Sequence, residues 1–70
     1  MAIFTYNDIV VLKYGTFPGR ELGERAWIVG VYEERTGEFL RKFPHGVVYT
    51  VEFEDGSLLE VHEEKLAMSA

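Results

Sequence analysis

The chain has 70 residues, 47% apolar and 27% charged, with twelve acidic against seven basic side chains, a net charge of −5 and no cysteine. Without thiols there is no disulfide framework, cysteine–zinc or iron–sulfur ligation, or cysteine nucleophile. The acidic balance disfavours nucleic acid and anionic membrane as partners, because a groove that tracks phosphates needs clustered Lys and Arg. One domain fits this length, and a domain so small buries only about 60% of its unfolded surface, so a covering partner would add stability.

The longest strongly apolar run, Ile9 to Leu12, is far shorter than a bilayer span of about 20 residues, and 1–8 carry no basic stretch followed by an apolar core. A soluble, cytoplasmic protein without a signal peptide is the expectation. Residues 1–6 are expected to fray.

Short runs of Val, Ile, Tyr, Phe and Thr lie between regularly spaced glycines, the mark of an all-β barrel or sandwich. The first strand is predicted at 8–13. Tyr14 to Glu24, with Gly15, Gly19, Gly23 and Pro18, reads as a long irregular loop. The second strand is predicted at 25–34, and either of its faces could be the core: Ala26, Ile28, Gly30 and Tyr32 alternate with Trp27, Val29 and Val31. With both faces apolar, the second needs a cover, either the 14–24 loop or a partner protein. Arg35 to Glu38 reads as a turn, Phe39 to Arg41 as a short strand and Phe43 to Gly46 as a loop.

The clearest alternation is 47–53, with Val47, Tyr49, Val51 and Phe53 on one side and Val48, Thr50 and Glu52 on the other. A two-residue Asp55-Gly56 loop would set Val51 against Glu60 and mix acid into the apolar row. A three-residue loop, Glu54-Asp55-Gly56, with Gly56 left-handed, instead pairs Val51 with Leu59, Tyr49 with Val61, Glu52 with Leu58 and Thr50 with Glu60. That register is the predicted one, with the following strand at 57–61. His62 to Leu66 then reads as one helical turn whose Leu66 plugs a barrel end, and 67–70 should fray. The predicted fold is a small five-stranded SH3-like barrel with one short helical turn near the C-terminus. A five-stranded OB barrel, the main rival, usually needs more chain and a real helix.

Chemistry-bearing constellations are sparse. His45, His62 and the adjacent Glu63 and Glu64 could in principle hold a metal, but the histidines lie far apart on different elements. His62 is expected on the outer face across from Val48, and His45 in an exposed loop. Ser57, His62 and Asp55 can be written as a triad, yet a hairpin bend builds no oxyanion hole. Gly15, Gly19 and Gly23 lack the lysine and hydroxyl that a phosphate loop places after its last glycine. No metal, cofactor or catalytic residue is expected, and the carboxylates should be exposed and unperturbed.

Several segments look familiar: Asp8 to Leu12, Gly15-Thr16-Phe17-Pro18-Gly19, Ile28-Val29-Gly30-Val31, Val48-Tyr49-Thr50-Val51-Glu52-Phe53 and Glu63-Glu64-Lys65-Leu66. Together they resemble the small SH3-like barrels grouped as electron-transport accessory proteins. Phe39-Leu40 through Phe53, with Gly15 to Gly19, is similar to the NifZ-type nitrogenase maturation proteins. Phe43-Pro44-His45-Gly46 through Phe53 is similar to the C-terminal barrel of the nitrile hydratase β subunit. These motifs specify a barrel and not a chemistry. Type II dihydrofolate reductase shares the barrel, but where it has a Val-Gln-Ile-Tyr strand this chain has Leu58-Leu59-Glu60-Val61, so no catalytic residue carries over.

The resemblance implies a non-catalytic accessory or interaction module that docks on a larger protein, a metalloenzyme or its assembly machinery. Trp27, Tyr32, Phe17 and Phe43 are the candidate apolar contacts, with Glu52, Glu60 and Glu64 steering. From Glu52 to Glu64 there are six acids and no base, so the alternative is a small acidic inhibitor or immunity-type protein covering a basic site. A homo-oligomeric barrel is a further possibility.

Overall fold

The computed structural model describes residues 2–33 and 46–69. The predicted turn 35–38, the strand 39–41, Phe43 and His45 lie outside the described residues. Five antiparallel strands form one sheet: β1 (Ile9–Leu12), β2 (Arg25–Tyr32), β3 (Val48–Phe53), β4 (Leu58–His62) and β5 (Leu66–Met68). Their neighbour order is β4-β3-β2-β1-β5, and a 3-10 turn, Glu63–Lys65, joins β4 to β5. The fold is all-β, a small SH3-like barrel with one helical turn, as the sequence predicts. Among the described residues, no helix is long and apolar enough to cross a membrane.

The β3–β4 hairpin has the predicted register, with Tyr49 facing Val61, Thr50 facing Glu60, Val51 facing Leu59 and Glu52 facing Leu58. Gly56 sits at φ +85°, the left-handed position that closes a three-residue loop, and the Phe53 N–H donates to the Ser57 carbonyl at 2.9 Å. Sorting of apolar side chains onto one face selects this register, since a one-residue slip would exchange the two faces. That face supplies the core: Val10 and Leu12 from β1, Ala26 and Ile28 from β2, Tyr49, Val51 and Phe53 from β3, and Val61 from β4.

Leu66 is buried in that core as predicted, but it does not end the fold. Leu66–Met68 pair with β1 through Leu12↔Leu66, Val11↔Ala67 and Val10↔Met68, and the Ser69 N–H donates to the Ile9 carbonyl at 3.0 Å. The expected fraying from 67 onward is therefore corrected. Three residues are too short for a recognisable alternation, and only the unpaired edge of β1 makes a strand of them.

The N-terminus is likewise anchored where fraying was expected. Phe4 is 5% exposed, and its ring meets Tyr49 edge-on at 5.4 Å between centroids. Its N–H donates to Tyr49 Oη at 3.2 Å. The chain then turns at Asn7, which takes φ 72°, a conformation Asn tolerates better than most residues, and the Asn7 N–H donates to the Ile28 carbonyl at 3.0 Å.

One irregularity decides which way β2 faces. Ile28 pairs with Val51 but Gly30 pairs with Thr50, so Val29 and Gly30 together oppose one residue of β3. Before this bulge Ala26 and Ile28 face the core. After it the parity changes, and Val31, opposite Tyr49, packs against the core while Tyr32, opposite Val48, faces outward. The simple alternation predicted for 25–34 is corrected accordingly: Trp27 and Tyr32 lie on the same outer face, not on opposite ones.

Candidate functional site: the outer face of the sheet

The outer face is a grid set by register. Its first row runs Ile9, Trp27, Glu52, Leu58 across β1, β2, β3 and β4. The next is Gly30, Thr50, Glu60, and the third is Tyr32, Val48, His62. The two ends of this face differ in exposure. Val48 and His62 are buried, His62 with 4% exposure, whereas Ile9 is 48% and Leu58 59% exposed, with Trp27 and Glu52 half-buried between them.

The closed end is built by tight local fits. His62 Nδ1 accepts the Glu64 N–H at 3.2 Å, which caps the 3-10 turn. Gly46, at φ +124°, lies so close that a Cβ there would meet His62 Nε2 at 2.8 Å. His62 is thus across from Val48 as predicted, but packed and not solvated. Beside it, Thr50 Oγ1 donates to Tyr32 Oη at 3.2 Å over Gly30. Tyr32 is accordingly half-buried and engaged within the chain.

The first loop packs beside Phe53 and the β3–β4 turn. Its contacts run to the core side, where Phe17 packs partly buried against the core cluster and the Arg20 guanidinium lies 3.9 Å above the Phe53 ring centroid. Phe17 is therefore half-buried on the core side, apart from the row that holds Trp27. Arg20 also ion-pairs with Glu24 at 2.8 Å and Asp55 at 3.0 Å and bonds the Ser57 hydroxyl, tying the loop to the β3–β4 turn. The Ser57 hydroxyl, which donates to Asp55, and then its backbone N–H are the main causes that hold the Asp55 carboxyl below its ordinary range.

The acidic segment divides the same way. Glu63 accepts from Tyr49 Oη at 2.5 Å and from the Ile3 N–H at 3.1 Å. Burial first, and the Glu63 carboxylate second, push the Tyr49 phenol up to about 12. Glu64 accepts from Tyr14 Oη at 3.1 Å, which raises the Tyr14 pKa, and Lys65 Nζ sits 5.1 Å from the Tyr14 ring. Glu64 follows His62 into the 3-10 turn, beyond the end of β4 opposite Leu58, and is not part of the open row. Glu52 and Glu60, half-buried on the face itself, have no hydrogen-bond or ion-pair partner among the described residues.

Of the predicted contacts, then, Trp27, Glu52 and Glu60 come together and Tyr32 closes the far end of their face. Ile9 and Leu58 belong to the same row and were missed, because an exposed apolar residue in a strand looks like core until the pairing is known. Among the described residues, no cluster of His, Cys, Asp or Glu is arranged to hold a metal. The chain matches no family model, and it has no significant match among curated proteins or solved structures.

Proposed function

We propose that this chain is a non-catalytic docking module that attaches to a larger protein through the open end of its outer face. By the resemblance to electron-transport accessory barrels, the proposed partner is a metalloenzyme or its assembly machinery. One observation carries the reading: Ile9, Trp27 and Leu58 remain half-exposed or exposed in one register row, on a sheet whose other face already has a closed core. A tryptophan with apolar neighbours on a flat strand surface is the type of residue on which interface energy concentrates. The alternative, an acidic cover for a basic site, draws less support, since Asp55, Glu63 and Glu64 are engaged within the chain.

The test is affinity capture from a native extract with the tagged chain and its Trp27→Ala variant as parallel baits. The expected result is a protein retained by the first and lost by the second, with both baits melting at similar temperatures. Equal retention by both would overturn the assignment of this face.

A further inference from the structure

We propose that the open end of the outer face receives a basic side chain, arginine above all, carried by an extended and otherwise apolar segment of the partner protein. This deepens the docking reading and rests on it. Trp27 and Glu52 are direct cross-strand partners, and side chains so paired have Cβ atoms about 5 Å apart. Glu60 is the diagonal neighbour of Glu52 on β4, two residues beyond Leu58, a spacing of about 7 to 8 Å. The result is an indole face with two carboxylates on one side and apolar Ile9 and Leu58 at the ends of its row.

No described residue supplies the missing cation. Arg25, the base nearest in β2, pairs with Val11 in the ladder and makes no ion pair with Glu52 or Glu60. Covering this face with a neutral segment would strip water from two carboxylates and leave them unpaired, which is costly. A phosphate or an anionic surface would be repelled. A guanidinium answers all the groups together: its plane stacks on the indole, and its fork of N–H donors bonds a carboxylate in two places. An ammonium offers a point charge and no stacking plane, so lysine should serve less well.

The experiment pans the tagged 70-residue chain against a random dodecapeptide library. A selected peptide is then titrated as synthesised and with its arginine replaced by citrulline, which keeps the shape and removes the charge. Selected sequences should share an arginine flanked by apolar residues, and citrulline should weaken binding by about tenfold or more, as should Glu52→Gln or Glu60→Gln. The Trp27 indole N–H resonance should shift on titration. Peptides without a base, unchanged affinity with citrulline, or an empty selection would each overturn the proposal. If Trp27→Ala abolishes binding while both Gln variants bind as tightly as the parent chain, the docking face stands and arginine recognition falls. If Trp27→Ala also binds unchanged, the docking reading itself falls. Self-association that Trp27→Ala abolishes in sedimentation would make the occupant a second copy and overturn the basic partner.

Discussion

Tyr49 Oη donates to the Glu63 carboxylate at 2.5 Å while it accepts the Phe4 N–H at 3.2 Å. One core phenol thus holds the N-terminal arm to the 3-10 turn, and the Ile3 N–H reaches the same carboxylate at 3.1 Å. Tyr49→Phe keeps the ring packed against Phe4 but leaves the Phe4 N–H without its acceptor. A loss of about 1 to 3 kcal/mol is expected, measurable by urea titration, with the amides of Ile3 and Phe4 exchanging faster.

The same phenol makes stability depend on pH in the alkaline range. Its pKa is raised from 10.0 to about 12 in the native state, so the folded chain holds the proton that the unfolded chain releases first. The stability this confers is complete below pH 10 and is lost as pH rises towards about 12. Melting temperature should fall across that window, and Tyr49→Phe should flatten the fall. An unchanged slope in the variant would assign the alkaline loss to other groups.

Gly30 has no side chain where the bulge needs room. A Cβ there would lie 3.1 Å from Thr50 Cβ, Thr50 Oγ1 and Tyr32 Oη. Thr50 is a short side chain fixed on the neighbouring strand and cannot swing away, so Gly30→Ala should cost about 1 to 3 kcal/mol. It should also break the Thr50–Tyr32 hydrogen bond, visible as a change in Tyr32 fluorescence or ring resonances.

Gly56 provides the contrasting case. Nothing lies within 4 Å of the position its Cβ would take, yet its φ is +85°. Gly56→Ala should therefore cost only the conformational strain of a left-handed residue, about 1 to 2 kcal/mol. Gly56→Asn should recover part of it, which a steric clash would not allow.

Arg20 links three elements through Glu24, Asp55 and the Phe53 ring. Arg20→Met keeps apolar contact with Phe53 and deletes the ion pairs. A fall in melting temperature of about 4 to 8 °C, the equivalent of about 1 kcal/mol, is expected in low salt. The difference between the two proteins should narrow in high salt, where exposed pairs are screened.

The hairpin register was readable because Val51, Phe53, Leu59 and Val61 sort cleanly by parity, and Gly56 marks the loop that permits it. Two features were hidden for a common reason. β5 owes its existence to the free edge of β1, and the arm at Phe4 to a hydroxyl 45 residues away, so neither leaves a local pattern. The bulge at Val29 was hidden differently: both rows of β2 are apolar, and an extra residue in such a strand changes no hydrophobic pattern. For the candidate site, Trp27, Glu52 and Glu60 were named from residue type and the register places them on one face, whereas the packing of Phe17 against the core depends on the path of the first loop, which leaves no local pattern.

The extra residue at Val29 also makes β2 a counting device. Strand ends on either side of it are out of phase by one, which is what puts Trp27 and Tyr32 on a common face and Ile28 and Val31 on the other. Closing the bulge with all residues kept would set Val31 opposite Val48 and turn it outward while driving Tyr32 into the interior, whereas deleting Val29 would leave Gly30, Val31 and Tyr32 opposite Thr50, Tyr49 and Val48 as they are. Outer face and core are therefore coupled through the residue count of β2, so this strand should tolerate loss of Val29 itself far better than loss of a residue on either side of it.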